Sequence, residues 1–284
     1  MKIILVGYGN VGKELRQVLS EHGFSAEYIV RTGGIYDSND FIIDTTENFH
    51  RYLDKDSVVF ISTPSIGIGK ISEFYYKKPL EAGARVITCE KAFLANNWEF
   101  VKKYSGKIKY SATVGGDSGI LDAISDYKGE IKEIRAVVNG TLNYIGEKFS
   151  RGIKTEEAYS EVVAKGFAEP GSKNFEEVIE NELRDVLYKA VITVNHSKLF
   201  NRVVKPADVA VSKYQVGLRC SILINKNEIK AGFIKVPEDF KFPKGVNNCL
   251  YINGEKIIEG PGAGGRITAE RMFRDFQHGR LFDK

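Results

Sequence analysis

Lys2-Ile3-Ile4-Leu5-Val6 runs directly into Gly7-Tyr8-Gly9-Asn10-Val11-Gly12, after which Val11, Leu15, Val18 and Leu19 recur at helical spacing. The apolar run is too short for a helix, so the pattern predicts a buried strand feeding an amphipathic helix. A G-x-G-x-x-G string is weak by itself, but between a strand and a helix it has the mechanics of a pyrophosphate turn. Gly7 permits the tight turn, Gly9 lets the backbone approach the phosphates, and Gly12 lets the helix pack closely on the strand. Asn10 and Val11 then open the helix whose amides receive the anion. A glycine-rich turn without a ligand would carry the same letters; the placement favours the functional reading.

Working outward, further short apolar runs stand at 26–30, 57–61, 85–88 and 107–111, separated by longer polar or helical stretches. That alternation predicts a parallel sheet and hence a Rossmann-type, doubly wound α/β domain over residues 1–112, with about 259–284 returning to it. Residues 113–258 have a different texture and read as a second, α+β domain. Residues 134–138 suit a strand, Thr155 followed by Glu156 and Glu157 starts a helix, and Val178, Ile179, Leu183, Val186, Leu187, Ala190 and Val194 mark a long helix over about 176–195. Leu250-Tyr251-Ile252, Asn253-Gly254 and Lys256-Ile257-Ile258 form a hairpin signature, because Asn-Gly favours the two-residue turn that matches strand twist.

Composition narrows the classes. Of 284 residues 43% are hydrophobic and 27% charged, and no apolar run reaches the roughly 20 residues a membrane helix needs. A net charge of +4 is spread among interleaved acids and bases, so neither a membrane nor a nucleic-acid partner is expected. Cys89, Cys220 and Cys249 stand far apart without a C-x-x-C pair, which argues against a disulfide framework or a zinc site and suits a reducing cytoplasm.

Where nicotinamide dinucleotides bind this kind of sheet, the second strand usually ends in an acid about 20 residues after the glycines, which holds the adenosine ribose. Here Arg31 and Thr32 stand there instead. Arg31 could pair with a 2′-phosphate, so NADP is the expected cofactor, with NAD kept open by Asp37. Ser62-Thr63-Pro64 follows the 57–61 strand, where such crevices open; a proline that merely ends the strand is the plainer reading.

Six further segments, in order along the chain, resemble the homoserine dehydrogenase family. Arg85 to Ala92, with Thr88-Cys89-Glu90-Lys91-Ala92, is similar to its stretch leading into Thr-Ala-Asn-Lys, and Lys91 falls on the matching lysine. Tyr110-Ser111-Ala112-Thr113-Val114-Gly115-Gly116 resembles its Ala-Ser-Val-Gly-Gly-Gly segment, and Val138-Asn139-Gly140-Thr141-Leu142-Asn143-Tyr144-Ile145 follows its Asn-Gly-Thr-Thr-Asn-Tyr-Ile nearly letter for letter. Gly166-Phe167-Ala168-Glu169-Pro170 is similar to Gly-Tyr-Ala-Glu-Pro, and Asp185 and Lys189 are spaced as in Asp-x-x-x-Lys. Gly260-Pro261-Gly262-Ala263-Gly264 with Thr268-Ala269 looks like the family's C-terminal Gly-x-Gly-Ala-Gly and Thr-Ala.

The resemblance implies hydride transfer between a nicotinamide and homoserine or aspartate 4-semialdehyde, within threonine and methionine biosynthesis. It implies Lys189 as acid and base, Asp185 as the group that orients it, and Lys91 as its partner on substrate or cofactor. Spacing alone would make Asp185 and Lys189 an ordinary i,i+4 surface pair; only the resemblance reverses that. Glu169 and Glu180 would hold the substrate ammonium, and the Gly140-Thr141 turn would bind substrate or orient the nicotinamide. Ser62, Thr63, Gly262 and Gly264 would join the dinucleotide seat. Main-chain carbonyls of Ser111, Val114, Gly116 and Ser118 would hold a monovalent cation, Na+ or K+. The second domain would carry catalysis, substrate binding and dimerisation, giving a homodimer, and no regulatory domain is expected after the Thr-Ala helix.

Departures from the family fall at 171–184, which replaces the usual Asp-Pro-Thr and Asp-x-x-Gly run, with Leu183 at the usual glycine and Ser111 at a common glutamate. Two alternatives therefore stand beside the main reading: a non-catalytic NADP(H)-binding redox sensor, and a dehydrogenase acting at the α-carbon of another amino acid. Retention of Lys91 and Lys189 disfavours the first, and the 139–144 match disfavours the second.

Overall fold

The computed structural model describes residues 1–165, 174–215, 217–262 and 264–281, and among these it forms two units: Met1–Thr113 with Gly264–Lys284, and Val114–Ala263.

In the first unit the strands are β1 (Lys2–Val6), β2 (Tyr28–Arg31), β3 (Gly34–Asp37), β4 (Ile42–Asp44), β5 (Ser57–Ile61), β6 (Arg85–Thr88) and β7 (Ile108–Lys109), in sheet order β4-β3-β2-β1-β5-β6-β7. The helices are α1 (Asn10–Glu21), α2 (Lys70–Glu81), α3 (Ala92–Asn96) and α4 (Trp98–Lys103). β2, β1, β5, β6 and β7 are parallel neighbours, as the alternating runs predict. The edge differs: β3 and β4 are antiparallel, so the chain folds back twice after β2 instead of crossing over through a helix. The last run also shrinks to two residues, and Ser111 lies in a 3-10 turn, Ser111–Thr113.

In the second unit α5 (Ile120–Asp126), β8 (Glu133–Val137), α6 (Gly140–Ser150), α7 (Thr155–Ala164) and α8 (Phe175–Ser197) precede β9 (Ala210–Ser212), β10 (Arg219–Asn225), β11 (Glu228–Ile234), β12 (Asn247–Ile252) and β13 (Glu255–Pro261). Its sheet runs β13-β12-β8-β10-β11-β9, antiparallel except for the β9–β11 pair. The Asn253-Gly254 turn has both residues at positive φ, 54° and 85°, which is what a type I′ hairpin demands.

Helix α9 (Gly265–Leu281) completes the first unit. Its Ala269, Met272, Phe273 and Phe276 join Leu15, Val18 and Leu19 of α1 and Ile3, Leu5, Val58 and Phe60 of the sheet in one buried cluster. The aromatic ring of Phe273 stacks on His22 at 4.3 Å, and Phe276 meets Phe24 edge-on at 5.2 Å. A polar clasp fixes the same helix: the buried Asp275 accepts from the Ser111 amide (3.0 Å) and hydroxyl (2.6 Å), and Arg271 Nε donates to that hydroxyl at 2.8 Å. Burial pushes the Asp275 carboxyl above its ordinary range, while Ser111 and Arg271 pull it back. Removing one partner of a buried network leaves the others unsatisfied, so Asp275→Ala is expected to cost about 2–3 kcal/mol, read as a lower midpoint in chemical denaturation. An unchanged midpoint would contradict the clasp.

Candidate active site

In the first unit the glycines of the first turn have their places dictated by sterics. Gly7 sits at φ 91°, and a Cβ there would lie 2.7 Å from the Ser62 carbonyl oxygen; a Cβ on Gly12 would lie 2.2 Å from the oxygen of Gly7. A Cβ on Gly9 would meet nothing within 4 Å. The backbone is therefore packed on two sides and open at the middle glycine. Helix α1 begins at Asn10 with Gly9 as its N-cap, without a side-chain cap and without an acid in its first turn, which leaves its leading amides to an outside acceptor. A cradle of this form fits a dinucleotide pyrophosphate.

Ser62 is part of the cradle, its amide donating to Val6 O at 2.8 Å and its hydroxyl to Gly7 O at 3.0 Å. Thr63 turns to the buried Ser72, 2.8 Å away. Lys91 starts α3, its amide donating to Ser65 Oγ at 2.8 Å. Beneath it lies a residue that sequence reasoning passed over. Glu90 is fully buried, accepts from the amides of Ala92 (2.7 Å) and Phe93 (3.0 Å), and lies within 3.4 Å of the Tyr76 hydroxyl. Its carboxylate occupies the start of α3 and so sets where the Lys91 backbone stands. Gly265 lies against the Asn10 side chain, 2.8 Å from where its Cβ would be, and Gly264 O accepts from Thr268 in the first turn of α9. Arg31 ends β2 and pairs with Asp40 rather than Asp37; Asp37 instead closes its own turn by accepting from the amides of Asn39 and Phe41.

In the second unit the residues expected to act as acid and base lie on α8. Lys189 is buried, and its Nζ donates to Asp185 Oδ2 at 2.7 Å and to Val138 O at 2.8 Å. Asn139 links this pair to a third group. Its Oδ1 caps α6 by accepting from Leu142 N (2.8 Å), and its Nδ2 donates to Asp185 Oδ2 (3.0 Å) and Glu182 Oε2 (2.6 Å). Gly140 and Thr141 are the next two residues, the first of α6. Glu182 is buried whereas Glu180 is exposed, so the acid brought beside Asp185 through Asn139 is Glu182 and not Glu180. Helix phase explains it: Glu182, Asp185 and Lys189 recur at i, i+3 and i+7 along one face, and Glu180 lies about 140° round the helix from Asp185. Glu169 lies outside the described residues.

Val114, Gly116 and Ser118 lie in a loop with Gly115, Gly116 and Gly119 at positive φ, and Ser118 donates to Gly115 O through both amide (3.0 Å) and hydroxyl (2.6 Å). The Ser111 amide and hydroxyl are engaged by Asp275. Gly262 packs on Asn248 within the second unit. Among the described residues no group of three or more His, Cys, Asp or Glu is placed to hold a metal ion, and no helix is long and apolar enough to cross a membrane. All three cysteines are free, with burial pushing the Cys89 and Cys249 thiols up to about 11 and Cys220 further still; none has the lowered pKa of a nucleophile.

Residues 123–231 match the family model described as homoserine dehydrogenase. The chain is 30% identical to a homoserine dehydrogenase of Sulfurisphaera tokodaii over 185 residues, 60% of this chain and 61% of that protein, and 26% identical to one of Pyrococcus horikoshii over 97% of this chain and 96% of that protein. The chain is thus similar to homoserine dehydrogenases along nearly its whole length. Its fold is that of homoserine dehydrogenase structures: a hyperthermophilic archaeal homoserine dehydrogenase in complex with NADPH superposes with a TM-score of 0.79 at 22% identity, over 99% of this chain and 97% of that one. Members of the family are oxidoreductases acting on a CH–OH group with NAD(P), and the Asp185-x-x-x-Lys189 pair lies within the matched residues.

Proposed function

We propose that this chain is a homoserine dehydrogenase, which interconverts L-homoserine and L-aspartate 4-semialdehyde with NADP(H) preferred and NAD(H) tolerated. The observation that carries the proposal is the fixing of Lys189. An ammonium has three protons to donate, and Asp185 and Val138 O take two of them in defined directions. The third is left to donate to a substrate oxygen, held by a backbone carbonyl and a carboxylate rather than by a mobile surface pair. The dinucleotide supplies, when bound, the hydride carrier. In the reducing direction the carbonyl carbon gains the hydride and its oxygen takes the Lys189 proton, so an alcohol forms; in the oxidising direction Lys189 accepts the alcohol proton. Asp185 orients the amine, and Asn139 holds Asp185. Lys91 binds the substrate or the cofactor amide, and Gly140-Thr141 binds substrate at the start of α6. The seat for the dinucleotide is the Gly7–Gly12 turn with Ser62 and Gly264, to which Gly265 is added, while Gly262 is reassigned to packing within its own unit. A monovalent cation on the carbonyls of Ser111, Val114, Gly116 and Ser118, a homodimer and a cytoplasmic location complete the proposal.

The substrate α-ammonium is assigned to Glu169 and, in place of Glu180, to Glu182. A buried carboxylate suits a cation withdrawn from water, and an exposed one does not. Loss of one charge-assisted hydrogen bond is worth about 1.5–3 kcal/mol, so Glu182→Gln is expected to raise the KM for homoserine about tenfold or more, with Glu180→Gln within about twofold of wild type. Equal effects of the two would contradict the assignment. The activity itself is tested by following NADPH consumption with aspartate 4-semialdehyde: turnover is expected, whereas nucleotide binding without turnover would favour the redox-sensor alternative.

A further inference from the structure

The end of β2 carries a charge cluster that the reaction leaves unexplained. Arg31 lies with its guanidinium between two rings, 4.1 Å from the centre of Tyr8 and 4.4 Å from that of Tyr36. Tyr8 is the second residue of the glycine turn, and Gly7 N donates to Val30 O at 3.0 Å, so the turn and the strand end are joined. From α1, Arg16 reaches the same place: its Nη1 donates to the Tyr8 hydroxyl and to Asp40 Oδ2, both at 2.8 Å, and its Nη2 to Ser38 O at 2.7 Å. The other Asp40 oxygen takes Arg31. Two guanidiniums thus converge on one carboxylate beside the dinucleotide turn.

The turn that presents this carboxylate is built with care. Asp37 accepts from two amides within it, Asp40 N donates to Asp37 O at 3.1 Å, and Asp40 itself stands at φ 67°, a left-handed conformation that few non-glycine residues adopt. Its carboxylate remains 44% exposed, so an incoming anion can reach the same donors. Arg31 Nε is buried and has no hydrogen-bond partner among the described residues, leaving a donor that the carboxylate does not use. Arginine forks bind carboxylate and phosphate by the same geometry. Contact with both arginines holds the Asp40 carboxyl below its ordinary range, so it is an anion at neutral pH.

We propose that Asp40 is a resident counter-ion in the seat of the adenosine 2′-phosphate, and that by occupying Arg16 and Arg31 it sets the preference between phosphorylated and unphosphorylated dinucleotide. The inference rests on the dinucleotide reading of the Gly7–Gly12 turn. Binding a 2′-phosphate requires the carboxylate to yield its donors or to stand beside a dianion, whereas a plain ribose displaces nothing. The carboxylate therefore weakens the phosphorylated ligand selectively.

Titration calorimetry with 2′,5′-ADP and 5′-ADP as probes tests this on the whole protein. For Asp40→Asn, 2′,5′-ADP is expected to bind about tenfold more tightly than to wild type, with 5′-ADP within about twofold, and the NADPH-to-NADH ratio of kcat/KM should rise in step. Asp40→Glu, which keeps the charge, should stay near wild type. Arg31→Met should weaken 2′,5′-ADP and spare 5′-ADP. Unchanged or weaker binding of 2′,5′-ADP to Asp40→Asn, an equal gain for both probes, or indifference to Arg31→Met would overturn the proposal. If wild type binds neither probe, the dinucleotide reading fails with it, a result distinct from binding without discrimination.

Discussion

Replacing Lys189 with alanine is expected to lower kcat about a thousandfold, with the KM for dinucleotide within about twofold of wild type. The magnitude is that of losing a positioned general acid–base group, about 10²–10⁴ in rate. The amine bridges Asp185 and Val138 O, so alanine removes the proton donor and also takes from Asp185 its counter-ion and from Val138 O that donor. Lys189→Arg separates the two effects. It keeps a cation for Asp185 but holds its proton too tightly to exchange it at neutral pH, so it should restore stability without restoring turnover. Comparable kcat in either variant and wild type would exclude Lys189 as the proton carrier. Asp185→Asn should fall between, because the amine loses its orienting charge yet keeps the Val138 carbonyl.

Replacing Gly12 with alanine is expected to weaken dinucleotide binding at least about tenfold and to destabilise the first unit by about 1–3 kcal/mol, the usual cost of forcing atoms into a packed site. The added methyl would lie 2.2 Å from the Gly7 oxygen, a distance that backbone must move to relieve. Moving Gly7 also disturbs Ser62, whose hydroxyl donates to that oxygen. Gly9→Ala is the internal control: its methyl meets no protein atom within 4 Å, so it should leave stability unchanged and interfere only with a ligand lying against the turn. Calorimetry with 5′-ADP beside denaturation curves checks both. A Gly9→Ala protein that binds as wild type would mean that the phosphates do not lie on that glycine.

What the sequence disclosed follows from which constraints are local. The strand, the glycine turn and the first helix are written in adjacent residues, since φ at Gly7 and the contact at Gly12 exclude other side chains. The β12–β13 hairpin is equally local, because Asn253-Gly254 can occupy the two positive-φ positions. The β3–β4 fold-back was not visible, as strands of four and three residues give too little alternation to register. In the site, Asp185 and Lys189 were found through family resemblance, not through spacing, which any surface pair shares. Glu182 was legible in principle from its helical phase with that pair, whereas the resemblance pointed to Glu180. Asn139 was not legible as a positioning residue, because its role depends on the distant α8, whereas Glu90 meets the amides two and three residues on, a local signal that was open to reading. Asn143, part of the most specific motif, serves packing: its amide donates to the carbonyls of Pro243 and Gly245 at 2.9 and 2.8 Å.

The most direct test uses reduced NADP carrying deuterium at the transferring ring carbon, incubated with aspartate 4-semialdehyde and the wild-type chain, with the product analysed by mass spectrometry and NMR. The account predicts homoserine with one deuterium on its carbinol carbon, formed about a thousandfold more slowly by Lys189→Ala. Tight nucleotide binding with no labelled homoserine, or equal labelling by the Lys189→Ala protein, would contradict it.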